Sequence, residues 1–237
     1  MTNLWEQIQG NVTFVLMCVV LVVVLTLMAH LAERFLPQKR TVTPARRVCL
    51  IGICAAIAAV LHMLDFPLLL IAPEFYKLDF SELPVLLCGF YLGPSATVVC
   101  EGVKILLKLL LKGTSTAFVG DLANFVVGCS FILPATTLYH RFKTKKGAIA
   151  GMVTGTVVMA AFGSFFNAVY LLPAFSALYG LPLEQLVAMG TAVNGMINSV
   201  STLVFFAVVP FNLLKGLIVS VLTTLLYKRM ERLLRMR

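Results

Sequence analysis

The sequence predicts an all-α fold, a polytopic membrane helix bundle, and three observations carry that reading. Hydrophobic residues fill 60% of the 237 positions and charged residues only 12%, with a mean hydropathy of +0.97, which is too little charge to coat a soluble domain. Apolar runs long enough to cross a bilayer recur along the whole chain. The basic residues behind the net charge of +9 sit in short clusters at the ends of those runs, as charge-biased topology requires and nucleic-acid binding does not.

The first run, residues 11–33, is long for a signal-peptide core, and no small-residue cleavage pattern follows it. It reads as an anchor helix which, with a basic linker, makes up residues 1–45. The core is expected at 46–230, with helices at about 46–64, 82–93, 95–112, 119–140 and 147–172. Gly93-Pro94 makes a tight turn, Pro94 opening the next helix at its first position. The last apolar region, 185–229, exceeds one simple span and contains Pro210.

Charge settles its parity. Arg34, Lys39, Arg40, Arg46 and Arg47 form one basic cluster; Arg141, Lys143, Lys145 and Lys146 a second; Lys228, Arg229, Arg232, Arg235 and Arg237 a third. All three are expected in the cytoplasm. The loops at 65–81, 113–118 and 173–184 then lie outside, with Asp65, Glu74, Asp79 and Glu184; Glu6 falls on the same side. Two full crossings within 185–229 would put the last cluster outside. That stretch is therefore an outer helix or loop leading into one Pro-kinked final helix, which gives six core spans plus the anchor and a basic cytoplasmic tail, 231–237.

Polar residues inside such spans are costly and mark function or pairing. Glu101, Lys104, Lys108 and Lys112 follow three- and four-residue spacing and form one stripe. Either they make an intramembrane ion-pair ladder, with Asp79, Glu82 and Asp121 as further partners, or they touch a ligand; Lys112 simply reaches the outer surface. Asp121 and Asn124 share a face of the next helix. Asn167 lies among Phe165, Phe166 and Tyr170, and Asn212 and Lys215 point the same way from the last helix. These amides and the ammonium, between flat apolar walls, describe a site for a planar heterocycle with a hydrogen-bonding rim.

Gly52, Ala55, Ala56 and Ala59 give two overlapping small-residue faces, suited to internal packing or to a membrane partner. The six cysteines lack metal or disulfide spacing and read as small buried hydrophobes, and no nucleotide, zinc or hydrolase motif is present. No catalysis, metal or cofactor is expected.

Leu78-Asp79-Phe80-Ser81-Glu82-Leu83-Pro84, Gly93-Pro94, Glu101 with Lys104, Asn124, Asn167 and Pro210-Phe211-Asn212-Leu213-Leu214-Lys215-Gly216 together resemble the riboflavin-specific substrate-binding (S) component of energy-coupling-factor (ECF) transporters, over about residues 46–230. The resemblance implies a six-helix bundle in the bacterial cell membrane that captures riboflavin from outside, then docks on a transmembrane coupling protein driven by two cytosolic ATPase subunits. It implies that Asn167, Asn212 and Lys215 hold the flavin's polar atoms. It implies too that the loop around Asp79 to Pro84, with Asp79, Phe80 and Ser81 touching the substrate, closes over the flavin, and that the small-residue face of Gly52, Ala55, Ala56 and Ala59 meets the coupling protein. The anchor helix departs from the six-helix pattern. The competing readings are an S component for thiamine, folate or pantothenate, a membrane-embedded enzyme acting on lipid through Glu101, Asp121 and the lysines, and a purely structural subunit.

Overall fold

The computed structural model describes residues 12–36, 42–114, 116 and 118–235. Glu6, Lys39, Arg40, Arg237 and the first residue of the expected anchor helix lie outside the described residues. The chain forms α1 (Val12–Arg34), α2 (Pro44–Met63), α3 (Glu82–Leu92), α4 (Pro94–Lys112), α5 (Val119–Phe142) and α6 (Lys145–Phe166). These are followed by α7 (Leu172–Tyr179), α8 (Leu183–Thr191), α9 (Val200–Leu203) and α10 (Val209–Arg235). A two-stranded antiparallel hairpin, β1 (Phe66–Pro67) and β2 (Lys77–Leu78), closes the loop between α2 and α3.

The bundle is polar inside and apolar outside where α4 is concerned. Glu101 and Lys104 are fully buried, whereas Leu106 is 60% and Leu110 82% exposed on the same helix. Burying charge and exposing leucine would be unstable in water; hydrocarbon around the helix makes the arrangement sensible. Among the described residues, five helical segments are long and apolar enough to cross a membrane. α3, at 11 residues, is shorter, and α4 carries its four charged residues. These two complete the expected set of core helices.

Most helix ends follow local chemistry. Gly93 has φ +109°, a conformation open to glycine at little cost, and it lets Pro94 begin α4 immediately. Thr144 caps α6 by accepting a hydrogen bond from the Gly147 N–H at 3.0 Å.

The expected end of the fifth core helix at residue 172, ahead of Pro173, needs correction. The helix continues through a π-turn at Asn167–Leu171 into α7, which ends at Tyr179, so the expected outer loop 173–184 is largely helical. A second π-turn, Val204–Val208, joins α9 to α10 ahead of Pro210. Proline lacks an N–H and crowds the carbonyl four residues back; widening the preceding turn by one residue lets the helix pass without breaking. The last apolar region is α8, a turn, and then a single helical rod from Val200 to Arg235, matching the expected outer element followed by one kinked helix.

The two small-residue faces of α2 separate. Ala55 and Ala59 are buried within the bundle, while Gly52 and Ala56 stay exposed, and nothing lies within 4 Å of a side chain placed at Gly52. The cysteines divide as well: Cys88, Cys100 and Cys129 are buried, Cys18 and Cys54 half-buried, but Cys49 is exposed on the outward side of α2. α1 packs on α4 and α5 yet leaves most of its surface outward.

Candidate functional site

Where α5, α6 and α10 part, opposite the end that bears Gly93 and Thr144, the bundle encloses a cavity of about 270 Å³. Its mouth lies beside the hairpin loop 65–81. Four aromatic rings from three places, Phe75 and Tyr76 of that loop, Phe175 of α7 and Phe211 of α10, share its wall with Asn124, Asn167, Asn212 and Lys215. The π-turns matter here: Asn167 and Leu171 reach the wall from the first, and Phe211 and Asn212 follow just after the second.

The three amides are not equivalent. Asn167 is engaged, accepting from the Tyr76 hydroxyl at 2.8 Å and donating to the Gly163 carbonyl at 2.7 Å. One N–H and one lone pair remain for another partner. Asn124 Oδ1 accepts from Lys104 Nζ at 3.1 Å. Asn212 is buried at the wall and has no hydrogen-bond partner among the described residues. Gly163 makes room for it, since a side chain there would come within 3.0 Å of Asn212 Nδ2.

Lys215 reaches the cavity from within an ion network rather than as an isolated cation. Its Nζ lies 3.0 Å from Asp79 Oδ2 and 3.0 Å from Glu82 Oε1. Asp79 is fixed in turn: its Oδ1 accepts from the Ser81 N–H at 2.8 Å, and His62 Nδ1 is 3.5 Å from Oδ2. Burial pushes the Asp79 carboxyl upward, but Lys215 and His62 outweigh it and hold the group well below the usual carboxylate range. Burial alone raises the Tyr76 phenol, which stays a neutral donor.

Deeper in, Lys104 Nζ is 2.5 Å from Glu101 Oε1 and 3.7 Å from Glu82 Oε1, and it donates to Ser81 Oγ at 3.0 Å. Lys108 pairs with Asp121 at 2.6 Å, and Lys112 with Asp65 at 3.1 Å near the surface.

Asn124, Asn167, Asn212, Lys215, Asp79 and Lys108 therefore share one wall, while Phe80, Ser81, Glu101 and Lys104 stand apart from it. Phe80 packs near Phe66, with ring centroids 6.1 Å apart, and Ser81, just ahead of α3, makes no side-chain cap, its hydroxyl accepting from Lys104 instead. His62, Phe75, Tyr76 and Phe175 are wall residues that sequence reading missed. Phe75-Tyr76 lies in an irregular loop where no periodicity points anywhere, although adjacent aromatics among the acids of the loop were a usable signal. Among the described residues no three His, Cys, Asp or Glu side chains are grouped to hold a metal ion.

The family model for the ECF transporter substrate-specific component matches residues 46–227. The riboflavin transporter RibU of Staphylococcus aureus is 31% identical, the match covering 84% of this chain and 97% of that protein. The riboflavin transporter FmnP of Bacillus subtilis is 29% identical over 78% of this chain and 92% of its own length. A solved structure described as the S component of a bacterial ECF transporter superposes with a TM-score of 0.64 at 34% identity, covering 81% of this chain and 99% of that one. With a match over most of its length in sequence and in fold, the chain belongs to the substrate-specific components of ECF transporters.

Proposed function

We infer that this chain is the riboflavin-capturing subunit of an ECF-type vitamin uptake system, a binding and transport protein rather than an enzyme. The observation that carries the reading is the wall itself, where four aromatic rings and three amides surround one hollow in a chain whose relatives are named riboflavin transporters. A tricyclic flavin offers flat faces to the rings and a polar rim to the amides, and its burial supplies the affinity. Asn212, with no hydrogen-bond partner among the described residues, is assigned the principal contact; Asn124, Asn167 and Lys215 complete the rim. Asp79 acts through Lys215, and Phe80 and Ser81 hold the adjoining loop in place.

Binding alone cannot concentrate a vitamin, and no nucleotide motif is present, so the work comes from partners. We assign the exposed Gly52 and Ala56 face of α2 to a transmembrane coupling protein, itself driven by two cytosolic ATPase subunits. The buried Ala55 and Ala59 face serves internal packing. In this scheme the protein is multi-pass in the bacterial cell membrane with its C-terminus cytoplasmic, and it carries riboflavin as ligand without a resident cofactor.

Titrating the detergent-solubilised protein with riboflavin while following flavin fluorescence tests the capture step. Saturable quenching at one site per chain is expected; absence of quenching with a folded protein rejects the vitamin. Proteoliposomes holding this chain alone are expected to bind riboflavin without accumulating it.

A further inference from the structure

Beside the cavity lies a network of three carboxylates and two ammonium groups, with the His62 imidazole against one of the acids, set in a membrane interior. Asp79, Glu82 and Glu101 supply the acids and Lys104 and Lys215 the bases, all at least nine-tenths buried. Asp79 has donors on both oxygens, the Ser81 N–H on one and Lys215 on the other. The glutamates do not. Glu82 Oε2 and Glu101 Oε2 are each buried without a donor among the described residues. The two carboxylates also crowd one ammonium, Lys104 Nζ, through their other oxygens.

Among the described residues no further cation reaches them. Around the pair, α2 presents His62, which sits against Asp79 at 3.5 Å; α4 presents Lys108, neutralised by Asp121 of α5 at 2.6 Å; α5 adds the buried thiol of Cys129; and α10 presents only Lys215, which is shared with Asp79. A buried carboxylate oxygen without a donor is costly, and a proton is the smallest species that removes the cost.

We propose that Glu82 and Glu101 share one proton, making this network a proton-binding site coupled to the cavity. The coupling runs through Glu82 and Lys215, which both face the cavity, whereas Glu101 does not. An occupant whose carbonyl draws Lys215 Nζ toward itself loosens the contact with Glu82. The glutamate pair then holds its proton more tightly, any proton taken up coming from the outer aqueous phase. By reciprocity a bound proton tightens capture. The sign follows: affinity is constant in acid, where filled and empty sites are both protonated. It falls as pH rises past the point where the empty site loses its proton, by at most about tenfold per pH unit. It levels off once the filled site has lost its proton too.

The resting proton stands independently of the vitamin; only its coupling to capture rests on the function proposed above. Infrared spectra of the purified, ligand-free protein near neutral pH are expected to show the carbonyl band of a buried protonated carboxyl, removed by Glu101→Gln or Glu82→Gln. A missing band, or one that survives both substitutions, overturns the proposal. Riboflavin affinity followed from about pH 5 to about pH 9 is expected to fall with rising pH in the unsubstituted protein and to be flat in Glu101→Gln, which keeps the uncharged form permanently. Equal pH dependence in both overturns the coupling. Should Glu101→Gln not fold, proton uptake on binding, read calorimetrically in two buffers of different ionisation heat, tests the same coupling in the unsubstituted chain, and zero uptake across the range overturns it. Failure to bind riboflavin at any pH would reject the vitamin reading and leave the infrared result to judge the proton.

Discussion

The two ends of the bundle are built on opposite principles. At the inner end α5 and α6 touch backbone to backbone: a side chain at Gly151 would collide with the main chain of Ala135, and one at Gly155 with that of Phe131. Nearby, Phe90, Tyr139 and Tyr227 form an aromatic cluster, and the two tyrosine hydroxyls meet at 2.8 Å. At the outer end the same helices diverge, two π-turns precede Pro173 and Pro210, and the gap is lined by amides and charges. Close packing at one end gives the rigidity that lets the other keep a hollow among costly polar groups.

The contrast sets out what perturbation should do. Lys215→Ala is expected to act most strongly, because it strands Asp79 and Glu82 as buried charges at a cost of about 3–5 kcal/mol. Thermal unfolding in detergent should show a large loss together with loss of riboflavin binding; unchanged stability would mean the network is not structural. Gly155→Val, at the tight end, should cost about 1–3 kcal/mol through overpacking yet leave the affinity of the folded fraction nearly intact. Equal damage to affinity would erase the distinction between the ends.

Asn212→Ala inverts that pattern. Its amide has no partner to lose among the described residues, so stability should hold while the riboflavin Kd rises at least about tenfold, the value of one buried polar contact. Tyr76→Phe removes only the hydroxyl that orients Asn167, and a two- to fivefold rise in Kd, or about 0.5–1 kcal/mol, is expected in a fluorescence titration. The pH dependence of stability should show Asp79 least. Its folded carboxyl is held below the ordinary range, so its stabilisation is fully present above the unfolded value of about 4 and is lost only as pH falls further through the folded value. Melting temperatures that decline already near neutrality would contradict that assignment.

Much of this was legible in one dimension. Composition and run length specified membrane helices, and Gly93-Pro94 marked its turn. The regular spacing of Glu101, Lys104 and Lys108 announced a buried stripe, because in hydrocarbon a helix must turn its charges inward. Pro173 misled, since the rule that proline ends a helix takes no account of a wider turn upstream. Nor could spacing tell which small face of α2 would be buried: Gly52 with Ala56 and Ala55 with Ala59 are equivalent patterns until a neighbouring helix chooses between them.

By itself the sequence determined the solvent this protein lives in, the number of its core helices and the residue types available for a site, because hydropathy and helical period are local properties. Only the tertiary structure decided that Lys215 answers to Asp79 and Glu82, that Asn212 is the wall amide without a hydrogen-bond partner among the described residues, and that Phe75 and Tyr76 close the wall. Those facts depend on groups distant in the chain meeting at a few ångströms, where burial turns modest charges and amides into strong constraints.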